Sequence, residues 1–285
     1  MKIAIASGKG GTGKTFVSTN LFYSALSQGV TVCIADCDAE EPNVSQCISS
    51  NIVAQDSIHS MIPIINTNNC VYCGLCAEYC NYNAIVCLPQ QSYIHLVEAL
   101  CHSCGACLYA CKYNAIQESS KLLGTISTSK VNNADVIEGR TEVGVFSPVP
   151  IIKKTIAKTD SYALSLLDSP PGISCPFIAT VSNADAVLLV TEPTPFGLHD
   201  LQLSVETLRE ISKPFKVIIN KSGLGNQDVY NWLQQEHIEC IAQIPFDTNI
   251  AKIYSQGKIL VQESEEYKEL FASIVTNIMN PDIWK

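Results

Sequence analysis

The sequence has no run of about 18 apolar residues, so no membrane-spanning helix is expected. Nor does it open like a secretory signal: MKIAIAS carries only a short apolar run before a glycine-rich stretch. Basic residues are scarce. Eighteen Lys and Arg stand against 27 Asp and Glu, for a formal charge of −9, and the longest basic run is Lys153-Lys154. Nucleic acid and anionic lipid both reward basic patches, so neither is expected as the main partner. A cytoplasmic protein is expected. Cysteine, by contrast, is abundant at 14 residues. In a reducing compartment, disulfides explain such a number poorly and metal explains it well.

Eight of those cysteines lie in a duplicated segment. CVYCGLCAEYCNYNAI begins at Cys70 and CHSCGACLYACKYNAI at Cys101. The copies share nine of sixteen positions: four Cys, one Gly and the trailing Tyr-Asn-Ala-Ile. Zinc sites usually pair two separate Cys-x-x-Cys turns. Here each copy reads C-x2-C-x2-C-x3-C, which resembles the spacing of bacterial two-cluster ferredoxins. The resemblance implies two 4Fe–4S clusters, with the fourth Cys of each copy crossing to the other cluster. Cluster I then takes Cys70, Cys73, Cys76 and Cys111. Cluster II takes Cys101, Cys104, Cys107 and Cys80. A zinc module is the alternative. Gly74 and Gly105 let backbone amides approach sulfur closely. The pattern departs from those ferredoxins after the fourth Cys, where Asn81 and Lys112 replace the usual Pro. His102 reads as a bystander, and Cys33 and Cys240 as small core residues.

Residues 2–7 are apolar and β-prone, Gly8-x-x-x-x-Gly13-Lys14-Thr15 follows, and a helix-like run extends to about Gln28. Strand, glycine loop and helix in that order make a P-loop. Gly8, Gly10, Gly11, Thr12 and Gly13 present backbone amides to phosphates. Lys14 reaches the β- and γ-phosphates, and Thr15 holds Mg²⁺. The helix start adds its positive end. ATP and Mg²⁺ are the expected ligands.

The extra lysine in KGGTGKT resembles the deviant Walker A loop of the MinD/ParA ATPases, a superfamily that includes the nitrogenase iron protein. The resemblance implies that Lys9 reaches the partner subunit's nucleotide in an ATP-sandwiched homodimer. TVCIADCDAEEPN reads as a strand ending in Asp36 and Asp38, and Asp38 matches the residue that orients the attacking water. YALSLLDSPPG ends in Asp168, which matches a residue holding Mg²⁺ through water. Asn220 in FKVIINKSG matches an adenine-contacting Asn, and Pro245 in QIPFD matches a residue packed on the base. The implied catalytic set is Lys9, Lys14 and Asp38. Together, DCDAEEPN, the cysteine segment, DSPPGISCP and TEPTPFGLHDL resemble MinD-type ATPases with a ferredoxin domain inserted after switch I.

The expected fold is α/β: a mostly parallel sheet with helices on both faces, interrupted by a small ferredoxin-like α+β insert. The ATPase domain takes residues 1–65 and 119–285, and the insert 66–118. Residues 119–145 are polar with β-prone pieces and read as the return connection. Strands are expected near 162–168, 186–191, 215–220 and 239–244, with helices over Gly197–Ile211 and Glu265–Met279. The final stretch is acidic first, unlike a basic membrane-binding helix. No Cys-x-x-Cys follows Cys175, which speaks against a labile bridging cluster. Cys175 is expected to pack near a dimer interface. The expected function is a slow ATPase coupling nucleotide state to electron transfer or docking with a redox or metallocofactor-maturation partner. The alternatives are an assembly factor with structural clusters and a Min/Par-type positioning ATPase with redox-sensing clusters.

Overall fold

The computed structural model describes residues 1–284. In chain order its first half holds β1 (Lys2–Ala6), α1 (Lys14–Ser27), β2 (Val32–Asp36), α2 (Val44–Cys47), β3 (Asn51–Ile65), α3 (Leu75–Glu78), β4 (Ile85–Leu88), β5 (Tyr93–Leu96), α4 (Ala106–Ala110), β6 (Ile116–Val131) and β7 (Ala134–Thr141). Then follow α5 (Val149–Ala157), β8 (Leu164–Asp168), α6 (Cys175–Ser182), β9 (Ala186–Thr191), α7 (Pro195–Glu210), β10 (Phe215–Ser222), α8 (Asp228–Gln235), β11 (Cys240–Pro245), α9 (Thr248–Ser255), α10 (Leu260–Glu263) and α11 (Glu265–Ile278). The chain divides into two compact units. One comprises residues 1–56, 125–141 and 148 onward; the other comprises Ser57–Gly124 and Glu142–Ser147.

The first unit is built on a sheet of order β11-β10-β9-β1-β8-β2-β7-β6-β3. Pairs from β11 through β7 are parallel. Strands β2, β8 and β9 are buried at every residue. Their near-continuous apolar sequences suit parallel strands covered on both faces, where alternation would leave polar groups in the core. The β2–β8 register sets Asp36 directly beside Asp168 at the carboxyl ends of two central strands. Open α/β sheets bind ligands at that end.

The β-prone pieces expected within the polar return connection of residues 119–145 are paired strands. Most of these residues form β6 and β7, joined through Asn132 and Asn133, with Asn132 left-handed at φ 52°. A two-residue turn of this kind closes a hairpin. β7 then runs parallel to β2, pairing Glu138 with Asp36. Strand β3 was not expected. Its first seven residues are all exposed, as befits the end of the strand order, so it shows none of the apolar continuity of the central strands.

Helix α11 packs against α1 in the main core. Tyr267, Phe271, Ile274, Val275 and Ile278 recur at helical spacing and are all buried in the main core. Phe271 meets Phe16 of α1 edge-on at 6.3 Å. This apolar face is occupied within the unit. Phe271→Ala should cost about 3–5 kcal/mol, read as a lower urea midpoint at unchanged slope. A loss below about 1 kcal/mol would contradict this packing.

The second unit has little hydrophobic core of its own. One buried cluster holds Cys76, Ile85, Cys107 and Ile116, and β4 and β5 form a two-stranded antiparallel sheet. So small a core seldom holds a unit of this size without staples. All fourteen cysteines are free, so disulfides do not supply them. The sequence duplication is also a backbone duplication. Tyr72 and Ser103 are left-handed at φ 55° and 57°, Gly74 and Gly105 at 80° and 74°, Asn83 and Asn114 at 53° and 52°. Left-handed backbone at non-glycine residues costs energy and tends to mark functional loops. Among the described residues, no helix is long and apolar enough to cross a membrane.

Candidate functional site

The glycine loop joins β1 to α1. Gly13 sits at φ 97°, and a Cβ there would meet the Asn220 amide at 2.3 Å. A Cβ on Gly8 would meet the Asp200 carbonyl oxygen at the same distance. Helix α1 starts at Lys14 with no side-chain cap, so its first-turn amides are left for another acceptor. An uncapped helix start behind a glycine loop fits a phosphate. Lys14 is buried, and that burial lowers its pKa while the charges of Asp168 and Asp38 oppose the shift. The Thr15 hydroxyl donates to Asp168 Oδ2 at 2.6 Å, and Ser18 donates to Oδ1 at 2.7 Å. A hydroxyl and a carboxylate this close are the donor set that holds Mg²⁺ in P-loop proteins.

The two aspartates after β2 have different tasks. Asp36 is fully buried and accepts from the amides of Asp38 at 3.0 Å, Asn43 at 2.8 Å and Val44 at 2.9 Å. Its carboxylate ties down the segment that leads into α2. Asp38 is only partly buried. Burial pushes its carboxyl up to about 6, with the Asp168 charge adding and Lys14 opposing. The structure thus brings Lys14, Thr15, Asp38 and Asp168 together.

Lys9 is held within its own chain, paired with Glu192 at 2.6 Å. Asn220 is buried and donates its amide to the Thr12 carbonyl at 2.8 Å, so it braces the loop. Pro245 is exposed at the end of β11, in register with Ser222 of β10. Asn220 and Pro245 therefore stand at the carboxyl ends of adjacent strands. Cys175 is exposed at the first turn of α6 rather than packed within the chain. Cys33 is buried in β2, and Cys240 is half-buried.

In the second unit, Cys70, Cys73, Cys76 and Cys111 line one small cavity. Cys80, Cys101, Cys104 and Cys107 line another. Each cavity thus takes three thiols from one copy of the repeat and one from the other. Among the described residues, no three Cys, His, Asp or Glu side chains are grouped to hold a metal ion. The Tyr72 amide donates to Cys70 Sγ at 3.4 Å and the Ala84 amide to Cys80 Sγ at 3.3 Å. Burial, with the neighbouring Cys87 thiol, pushes Cys76 up to about 11. The His102 ring stacks on Tyr82 at 3.7 Å, beside the second cavity. Sequence reasoning missed Glu192, Ser18 and Cys87. Cys87 donates to the Tyr72 carbonyl at 3.8 Å, close against the first set of thiols.

A glycine loop on a central parallel strand, with Asp168 ending the adjacent strand, is a strong family signature. Residues 3–261 match the family described as the CobQ/CobB/MinD/ParA nucleotide binding domain. The chain belongs to this family. Its MinD/ParA-like sheet is therefore a nucleotide-binding domain. An uncharacterized protein of Methanocaldococcus jannaschii is 34% identical over 282 residues, covering 96% of each chain. An iron-sulfur cluster carrier protein of Pyrococcus horikoshii is 21% identical over 301 residues, covering 98% of this chain and 85% of the relative. Among solved structures, the cell division ATPase MinD of Pyrococcus furiosus superposes with a TM-score of 0.62 at 19% identity, covering 97% of both chains. At that identity the likeness is one of fold.

Proposed function

We propose that this MinD/ParA-family protein hydrolyses ATP slowly and couples nucleotide state to two 4Fe–4S clusters. It serves electron transfer to, or docking with, a partner in metallocofactor maturation. The observation that carries the reading is the three-plus-one sharing of thiols around two cavities. Four thiols around a space, with backbone amides aimed at sulfur, fit a cubane better than a single zinc ion. Cys70, Cys73, Cys76 and Cys111 would hold one cluster, and Cys80, Cys101, Cys104 and Cys107 the other. When bound, such clusters supply one-electron carriers. The similarity to an iron-sulfur cluster carrier supports the same chemistry at the level of class.

In the nucleotide site, Lys14 and the loop amides bind the phosphates, while Thr15 and Asp168 hold Mg²⁺. Asp38 orients the attacking water. Lys9 reaches across an ATP-dependent homodimer. Asn220 and Pro245 flank the base. Strand β3 follows switch I after the short helix α2, and its Met61 and Pro63 line the second cavity. A segment that responds to the γ-phosphate is therefore continuous with the thiol unit. Anaerobic reconstitution should load about eight iron and eight sulfide per chain, and the loaded protein should hydrolyse ATP. Stoichiometric zinc that iron and sulfide fail to displace would overturn the cluster assignment.

A further inference from the structure

Glu192 directly follows β9, with a carboxylate side chain only 12% exposed. Oε1 lies 2.6 Å from the Lys9 ammonium and Oε2 lies 2.9 Å from that of Lys221. Lys221 also donates to the Gly11 carbonyl at 2.9 Å, so the same cation touches the glycine loop. Burial opposes ionisation of Glu192, but hydrogen bonds from Lys9 and Lys221 outweigh it and lower its pKa. The segment that carries Glu192 is itself anchored. The Pro193 carbonyl accepts from the Asn226 amide at 3.3 Å, and Thr194 Oγ1 accepts from the Gly197 amide at 3.0 Å. A Cβ on Gly225 would stand 2.0 Å from the Pro193 carbonyl oxygen. The backbone that carries the carboxylate is therefore held in place when Lys9 moves away.

We infer that Glu192 is a positioning residue that holds Lys9 in its own protomer, so that Lys9 serves a second copy's nucleotide only after this ion pair opens. The inference rests on the proposed role of Lys9 across the dimer. A partly buried carboxylate left without one of two cations is costly, and that cost opposes dimer formation until bound nucleotide offers Lys9 a stronger anion. Lys221 tempers the hold. While it satisfies Oε2, Glu192 retains one counter-ion after Lys9 leaves. Removing Lys221 would leave Lys9 as the main cation of an anchored carboxylate and tighten its grip.

The two substitutions therefore act in opposite directions, which simple damage to the loop would not produce. The test is sedimentation velocity over a protein concentration series with a non-hydrolysable Mg·ATP analogue. Glu192→Gln should dimerise at roughly tenfold lower concentration than wild type, a change of about 1.4 kcal/mol. Lys221→Ala should require a higher concentration than wild type. Lys9→Ala should stay monomeric, and so should Lys9→Ala/Glu192→Gln. Glu192→Gln dimerising at or above the wild-type concentration, with Lys9→Ala still monomeric, would overturn the inference and spare the role of Lys9. Lys9→Ala dimerising like wild type would overturn both. If Glu192→Gln fails to fold, Lys221→Ala decides alone, and dimerisation at or below the wild-type concentration overturns the inference.

Discussion

Asp38→Asn should lower kcat for ATP by about 10²–10³-fold while leaving nucleotide affinity near wild type. The expectation comes from how the two neighbouring aspartates are used. Asp36 already accepts three backbone amides and is sealed from solvent. Asp38 is partly exposed and close enough to Lys14 and Asp168 to feel their charges. Burial, with Asp168 adding, raises the Asp38 carboxyl to about 6. The ionised form is the one that accepts a hydrogen bond from water. A raised pKa means that this form is lost as pH falls through about 6, earlier than for an ordinary aspartate. For wild type, kcat/KM should fall with pH below that point, because this ratio reports the free enzyme. The Asp38→Asn profile should lack that limb. Full-rate turnover by the variant would show that another group handles the water.

The second large effect concerns the cavities. Cys80 belongs to the first copy of the repeat but lines the cavity of the second, and Cys111 does the reverse. Cys80→Ser and Cys107→Ser should therefore erase the same cluster, and Cys111→Ser and Cys76→Ser the other. Each variant should lose about half of the iron and one of two reduced-state electron paramagnetic resonance signals. A pairing by copy, with Cys80→Ser matching Cys76→Ser, would contradict the cavity geometry. Cys76 and Cys107 are the buried thiols of the two sets. Their variants should also destabilise the second unit most, because each removes part of a small buried cluster there.

Much of this was legible because it is local in sequence. The glycine loop, the run into α1 and the doubled cysteine spacing each fit within a few turns of chain, and each requires particular residues at fixed offsets. The central strands were legible because burial on both faces demands continuous apolar residues. Strand β3 was not, and β6 was legible only as β-prone pieces of a polar stretch, since exposed residues hide the signal. The Lys9–Glu192 pair lay beyond reach for a different reason. Its partners are 183 residues apart, and only the neighbouring strands β1 and β9 bring them together. The two tasks of Asp36 and Asp38 also needed the structure, because a motif names both carboxylates and does not say which one the backbone consumes.

The account turns on nucleotide state and the thiol-lined cavities sharing one free-energy cycle. The direct test is an anaerobic redox titration of the loaded protein without nucleotide, with Mg·ADP, and with a non-hydrolysable Mg·ATP analogue. Reciprocal coupling requires that a nucleotide able to sense the clusters also move their potentials. A shift of about 59 mV in at least one cluster between the ADP and ATP-analogue states, equivalent to about 1.4 kcal/mol for one electron, is the predicted result. Potentials that coincide in all three states would contradict it.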